Sequence, residues 1–127
     1  MDEQRQERRL TTILAADVVG YSALMNADEA ATLAALKDLR RTLIDPKTAE
    51  HGGRTIKLMG DGSLVEFGSV VDAVRYAVDL QHAIDDAQTG IPDAKRIRLR
   101  IGINAGDIMV EGDDVYGDGV NIAARIE

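Results

Sequence analysis

The chain has 127 residues, a net charge of −7 and no cysteine. Its length suits one domain with a modest core, which the 45% of apolar residues can build although aromatic residues make up only 3%. The acidic balance argues against a general affinity for nucleic acid, and the absence of cysteine excludes disulfides, thiolate metal sites and thiol nucleophiles.

The first predicted element is a strand that follows a charged leader at residues 1–8. Residues 10–19 are almost continuously apolar, which is typical of a strand buried on both faces. This apolar stretch is too short to span a membrane and lacks the layout of a signal peptide. We therefore expect a cytoplasmic domain that makes no membrane contact through this segment.

Two helices and a hairpin are predicted next. Residues 27–44 form an amphipathic pattern that Asn26 or Asp28 can cap and that Pro46 ends or kinks. Two short β-like runs, 54–59 and 63–67, are joined by Gly60-Asp61-Gly62, a strong hairpin signal. Residues 69–88 predict a second helix, whose expected stripe consists of Val70, Val74, Ala77, Val78, Gln81 and Ile84.

The last third of the chain predicts further strands and a third helix. Apolar residues alternate with polar ones or glycine over 97–104, which indicates a strand with one buried face, and 108–110 predicts another strand. A Gly- and Asp-rich loop is expected over 112–119, before a helix that starts at Val120. Because this helix reaches Glu127 without a cap or a following strand, we expect one domain over 9–127 that lacks its C-terminal part.

The order strand, helix, hairpin, helix, strand is that of the split β-α-β core of ferredoxin-like folds, here with an added strand. We therefore predict an α+β domain with helices on one face of an antiparallel sheet.

Two aspartates are the leading candidates for chemistry. Asp17 ends the first apolar strand and Asp61 lies in the hairpin, so this topology brings both near one end of the central strands. A carboxylate at the end of a buried strand is costly unless it binds something positive, and carboxylate pairs suit magnesium or manganese. The alternatives are ordinary ones: Asp61 as a turn residue and Asp17 as a cap of the next turn.

Three other polar residues are candidates for nucleotide binding. Lys57 lies four residues before Asp61 and could donate to a base or a phosphate; the alternative is a solvated strand lysine. Asn121 and Arg125 are four residues apart and share a helix face, from which Arg125 could neutralise charge on a phosphoryl group. The alternative is an exposed polar pair.

In combination these segments resemble the catalytic domain of the class III nucleotidyl cyclases, over roughly residues 8–127. The segments that carry the resemblance are LAADVVGYS at 14–22, KLMGDG at 57–62 and DVYGDGVNIAAR at 114–125. The resemblance implies a palm-like fold and two metal ions per site, Mg²⁺ or Mn²⁺, bound by Asp17 and Asp61.

The resemblance also implies the substrate and the assembly. Lys57 and Asp114 correspond to the pair that reads adenine, which makes the sequence of the adenylate type. Asn121 and Arg125 correspond to the pair that orients the ribose and stabilises the transition state. The implied activity is conversion of ATP to 3′,5′-cyclic AMP and pyrophosphate, at sites shared between the two subunits of a homodimer.

Two alternatives remain. One is a non-catalytic, nucleotide-binding or regulatory module related to the cyclases. The other is a different metal-dependent enzyme on the same core, such as a diguanylate cyclase or a polymerase palm, and the Ser63 that follows Gly60-Asp61-Gly62 disfavours it.

Overall fold

The structure is a computed structural model that describes the backbone of residues 7–111 and 114–116 and the side chains of residues 10–106. The elements in chain order are β1 (Glu7–Val18), α1 (Tyr21–Ala27), α2 (Glu29–Leu39), a π-helical turn (Arg40–Ile44), α3 (Asp45–Glu50), β2 (Arg54–Met59), β3 (Gly62–Phe67), α4 (Val70–Ala87), a 3₁₀ turn (Asp93–Lys95), β4 (Leu99–Glu111) and β5 (Asp114–Tyr116).

The five strands form one antiparallel sheet in the order β2-β3-β1-β4-β5. The first four of these strands have the order of the split β-α-β core, and β5 is the added strand. The fold class predicted from the sequence is therefore confirmed. The segment around Ile108 is the second half of β4 rather than a separate strand, and β5 lies inside the segment that was expected to be a loop.

The core lies between one face of the sheet and the helices. Alternate residues of β1, from Leu14 to Val18, share this face with Val65 and Phe67 of β3. Helices α2 and α4 cover it with buried side chains, namely Leu36, Leu39, Ala73, Tyr76, Leu80 and Ile84. The positions of β1 that alternate with these, including Ile13, Ala15 and Asp17, point to the opposite face of the sheet.

The buried face of α4 differs from the predicted stripe. Of the predicted residues only Ile84 is in the buried set, whereas Val70, Val74 and Val78 are between 44% and 52% exposed. The helix has two overlapping apolar stripes, and the one with the larger side chains packs on the sheet. Tyr76 decides this choice, because its ring packs on Phe67 and its hydroxyl lies 2.9 Å from that of Thr48.

The helical region before β2 also differs from the prediction. It begins at Tyr21, changes direction at Asp28, which caps α2 through a hydrogen bond from the Ala31 N–H, and continues to Glu50. Pro46 lies in the first turn of α3 and does not end the helical path. The preceding π-helical turn changes the hydrogen-bond pattern just before Pro46, where an α-helical interior would suffer a steric clash.

None of the described helices combines the length and the apolar character that a membrane crossing requires.

Candidate active site

The β2–β3 turn brings Asp61 against the end of β1. Met59 pairs with Gly62, so Gly60 and Asp61 form a two-residue connection, and Gly60 adopts the left-handed φ of 59° that glycine tolerates. The carboxylate of Asp61 accepts a hydrogen bond from the Val18 N–H at 3.0 Å. The turn is thereby fixed to the residue that follows Asp17.

Gly62 allows this close approach. A Cβ atom at Gly62 would lie 3.1 Å from the carbonyl oxygen of Ala16 and 3.7 Å from the Cβ of Asp17. A side chain at this position would therefore require the hairpin or the Ala16 carbonyl to shift by a few tenths of an ångström. The glycine after Asp61 therefore allows the hairpin to lie close to the end of β1, where Asp17 is.

Asp17 and Asp61 line one cleft of about 150 Å³. Its other lining residues are small or apolar, namely Ala15, Ala16, Met59, Gly62, Ser63 and Leu64. The structure thus brings together the two residues that the sequence predicted as metal ligands. Two carboxylates at one cleft are a donor set that fits Mg²⁺ or Mn²⁺.

Arg100 is a site residue that the sequence reasoning missed. It lies opposite Asp17 in the β1–β4 register, and its guanidinium donates to both carboxylate oxygens, Nε to Oδ1 at 3.1 Å and Nη2 to Oδ2 at 3.2 Å. Asp17 is partly buried, with its side chain 21% exposed. The alternation of Arg98 and Arg100 along β4 was visible in the sequence, but only the strand register assigns one of them to Asp17.

Lys57 lies on β2, an edge strand, and is exposed. Asp114 is the first residue of β5, at the other edge of the sheet, and its side chain is outside the described residues. Some Cα atoms of β5 nevertheless lie within 8 Å of Cα atoms of β2. The strands that carry the predicted adenine-reading pair are therefore neighbours in space. Asn121 and Arg125 lie outside the described residues.

A second group of possible metal ligands occurs within the described part of the chain. Glu50, His51 and Asp79 each offer a ligand atom, and these atoms lie within 4.8 Å of one another. This group lies near the start of β2, at the opposite end of that strand from Asp61. Asp79 already accepts hydrogen bonds from Lys47 Nζ at 3.0 and 3.1 Å, and it is 2.9 Å from His51 Nε2. These two contacts hold the pKa of Asp79 below its ordinary value.

Comparison with known families gives a match over almost the whole chain. The family model described as "Adenylate and Guanylate cyclase catalytic domain" matches residues 3–127.

Several curated relatives carry adenylate cyclase names, among them the following two. The chain is 50% identical, over all 127 residues, to a protein of Rhizobium meliloti (strain 1021) named "Putative adenylate cyclase 3", of which it covers 22%. It is 31% identical over 125 residues, 98% of the chain, to a Streptomyces coelicolor protein named "Adenylate cyclase", of which it covers 31%. The chain thus spans less than a third of either relative.

Among solved structures, the chain is similar to the adenylate/guanylate cyclase/hydrolase from Silicibacter pomeroyi. The two share 47% sequence identity and superpose with a TM-score of 0.90, over 97% of this chain and 72% of that one.

Proposed function

Since the chain belongs to the adenylate and guanylate cyclase catalytic domain family, we propose that it is an adenylate cyclase domain, which converts ATP to 3′,5′-cyclic AMP and pyrophosphate. The observation that carries this proposal is the convergence of Asp17 and Asp61 on one cleft, with Val18 and Gly62 holding the two strands together.

Asp17 and Asp61 would hold two Mg²⁺ or Mn²⁺ ions. The two residues suit these cations because both line the cleft and both are only partly buried. When bound, the ions lower the pKa of the ribose 3′-hydroxyl and neutralise the triphosphate. The chain itself provides position and charge, and no covalent intermediate is needed for in-line attack of the 3′-oxygen on the α-phosphorus.

Lys57 and Asp114 would read the base. An ammonium group can donate to N1 of adenine, and a carboxylate can accept from its exocyclic amine. The approach of β5 to β2 supports this assignment, because Cα atoms of the two strands lie within 8 Å of each other. Asn121 would orient the ribose, and Arg125 would stabilise the charge that develops on the transferring phosphoryl group.

The site would be shared between two subunits of a homodimer, with the metal-binding aspartates from one and the remaining residues from the other. The surface around the cleft supports an interface. Three apolar side chains near the aspartates are substantially exposed, namely Val19, Leu58 and Met59. Their burial against a second copy would remove apolar surface from water.

The test is a product assay with the purified protein, ATP and Mn²⁺, read by chromatography. We expect cyclic AMP from the wild type, and at least about a hundredfold less from Asp17→Asn and from Asp61→Asn, because a lost metal contact costs several kcal/mol in the transition state. Both variants should fold, which circular dichroism checks. Near-normal turnover in either variant at saturating Mn²⁺ contradicts the metal assignment. ATP binding without turnover by the wild type favours the non-catalytic module instead.

A further inference from the structure

The π-helical turn at Arg40–Ile44 interrupts the helical path between Glu29 and Glu50. The Asp45 N–H donates to the carbonyl of Arg40, five residues earlier, instead of four. Such single turns rotate the side chains around them relative to a regular α-helix and are frequent at functional sites. The turn begins at Arg40.

Arg40 reaches from this turn to the β2–β3 hairpin. Its Nη2 donates to the carbonyl oxygen of Gly60 at 3.2 Å. Gly60 is the first residue of the two-residue connection, and Asp61 is the second. Arg40 and Asp61 also line the same small cavity between the helical segment and the hairpin.

The Asp61 turn is therefore held from two sides. On the sheet side, the Val18 N–H donates to Oδ2 of Asp61. On the helix side, the guanidinium of Arg40 fixes the carbonyl of the preceding peptide. A hydrogen bond from a charged donor is among the stronger ones in proteins, and here it constrains the peptide that sets the direction of the Asp61 side chain.

We propose that Arg40 is a positioning residue for the reaction: by holding the Gly60 carbonyl, it keeps the carboxylate of Asp61 directed at the cleft that Asp17 shares. The inference rests on the proposed function, in which Asp61 binds a metal ion. It adds that this side chain couples the helical segment from Glu29 to Glu50 to the metal site. A shift of the π-helical turn would therefore alter metal affinity through the hairpin.

Arg41 provides a matched control. It is the next residue of the same π-helical turn, its side chain is 74% exposed, and its Nη2 donates to Asp38 on the preceding helical turn at 2.8 Å. Arg40→Met and Arg41→Met remove the same charge and hydrogen-bonding groups and keep similar aliphatic length. Only the first removes the contact with Gly60.

The measurement is direct binding of Mn²⁺ to the nucleotide-free protein, by titration calorimetry or electron paramagnetic resonance, with the thermal unfolding midpoint of each variant alongside. We expect Arg40→Met to weaken Mn²⁺ binding about three- to tenfold, because a lost charge-assisted hydrogen bond has this order of effect when partly exposed. Arg41→Met should bind as the wild type does. Arg40→Lys, which keeps a cation near Gly60, should recover part of the loss.

Equal Mn²⁺ affinity of the Arg40→Met and Arg41→Met proteins overturns the inference. If Arg40→Met does not fold, Arg40→Leu, which also cannot donate to the Gly60 carbonyl, takes its place, and a Mn²⁺ affinity equal to that of Arg41→Met then overturns the inference. Asp61→Asn separates this failure from that of the proposed function. If Asp61→Asn binds Mn²⁺ as tightly as the wild type does, the metal assignment itself is refuted. If Asp61→Asn weakens Mn²⁺ binding but Arg40→Met does not, only the positioning role is refuted.

Discussion

Arg100 holds both carboxylate oxygens of Asp17, and any cation that binds Asp17 has to share them. The pair is geometrically favourable, because the planar guanidinium meets the carboxylate with two nearly parallel hydrogen bonds. It fixes the Asp17 side chain before a ligand arrives and places a positive charge beside the cleft. This charge offsets part of the negative charge of the two aspartates.

Base selection is also a property of single residues. If Lys57 and Asp114 read adenine, ATP should be preferred over GTP by at least about tenfold, because the N1 of guanine is a donor and its O6 an acceptor, which leaves both residues mispaired. The double variant Lys57→Glu, Asp114→Cys should lose ATP turnover and shift its preference towards GTP. Product chromatography with each nucleotide at saturating Mn²⁺ measures this. Equal turnover of ATP and GTP by the wild type would contradict the assignment of Lys57 and Asp114 to adenine recognition.

At the scale of elements, the contact between the hairpin and β1 depends on Gly62. Gly62→Ala should lower the free energy of unfolding by about 1–3 kcal/mol, because the new methyl group meets the Ala16 carbonyl at 3.1 Å and forces a local shift of the hairpin or of that carbonyl. It should also weaken Mn²⁺ binding, since Asp61 moves with the turn. Urea denaturation and Mn²⁺ titration measure the two effects.

Gly68 gives the control for that substitution, at the other end of β3. A Cβ there meets no atom within 4 Å, and Gly68 is not among the glycines with positive φ. Gly68→Ala should leave both the stability and the Mn²⁺ affinity close to wild type. Equal losses in the Gly62 and Gly68 variants would mean that the close approach to β1 is not what Gly62 provides.

The contact between α3 and α4 predicts a dependence of stability on pH. Hydrogen bonds from His51 and Lys47 lower the pKa of Asp79 from its ordinary value of 3.8. A carboxylate whose pKa is depressed in the folded state contributes stability above its ordinary pKa, and that contribution is lost as the pH falls towards the folded value.

Thermal unfolding midpoints from about pH 6 to pH 2 test this linkage. Asp79→Asn cannot titrate, so the wild-type advantage over this variant should be largest at the upper end of the range and should shrink below pH 3.8. A difference between the two proteins that stays constant over the whole range would show that Asp79 has no depressed pKa in the folded state.

The sequence predicts elements better than it predicts contacts between them. Gly60-Asp61-Gly62 predicted the hairpin correctly because turn chemistry is local. The buried stripe of α4 was predicted wrongly from its valines. The two apolar stripes of this helix have similar periodicity, and only the packing of Tyr76 on Phe67 selects one of them. The pairing of Arg100 with Asp17 could not be predicted without the β1–β4 register, which joins residues more than eighty positions apart.

At the scale of the whole molecule, the order of elements was sufficient to predict the sheet. Its strand order follows from the split β-α-β connectivity, and the helices then cover one face. The approach of β5 to β2 does not follow from connectivity, and no pattern in the sequence indicates it. The proposed second subunit also does not follow from connectivity. Exposed apolar side chains such as Leu58 and Met59 indicate a surface that a partner can cover, and the identity of that partner is a separate proposal.

A shared site predicts complementation between two inactive variants. Asp17→Asn and Arg125→Ala should each be inactive alone, because every site in either homodimer lacks one essential group. Mixed in equal amounts, they should form heterodimers in which one site has lost both groups and the other is intact. Random pairing then restores about a quarter of the wild-type activity, and the recovered fraction should rise with protein concentration.

Sedimentation of the same mixture provides the control, since complementation requires association. Asp17→Asn mixed with Asp61→Asn should stay inactive, because both changes fall in the half-site that one subunit contributes, and every site of the heterodimer still lacks one aspartate. Activity in that second mixture would mean that Asp17 and Asp61 serve different sites. If the mixture of the Asp17→Asn and Arg125→Ala proteins sediments as dimers and still produces no cyclic AMP, the two residues act within one subunit and the interfacial site is refuted.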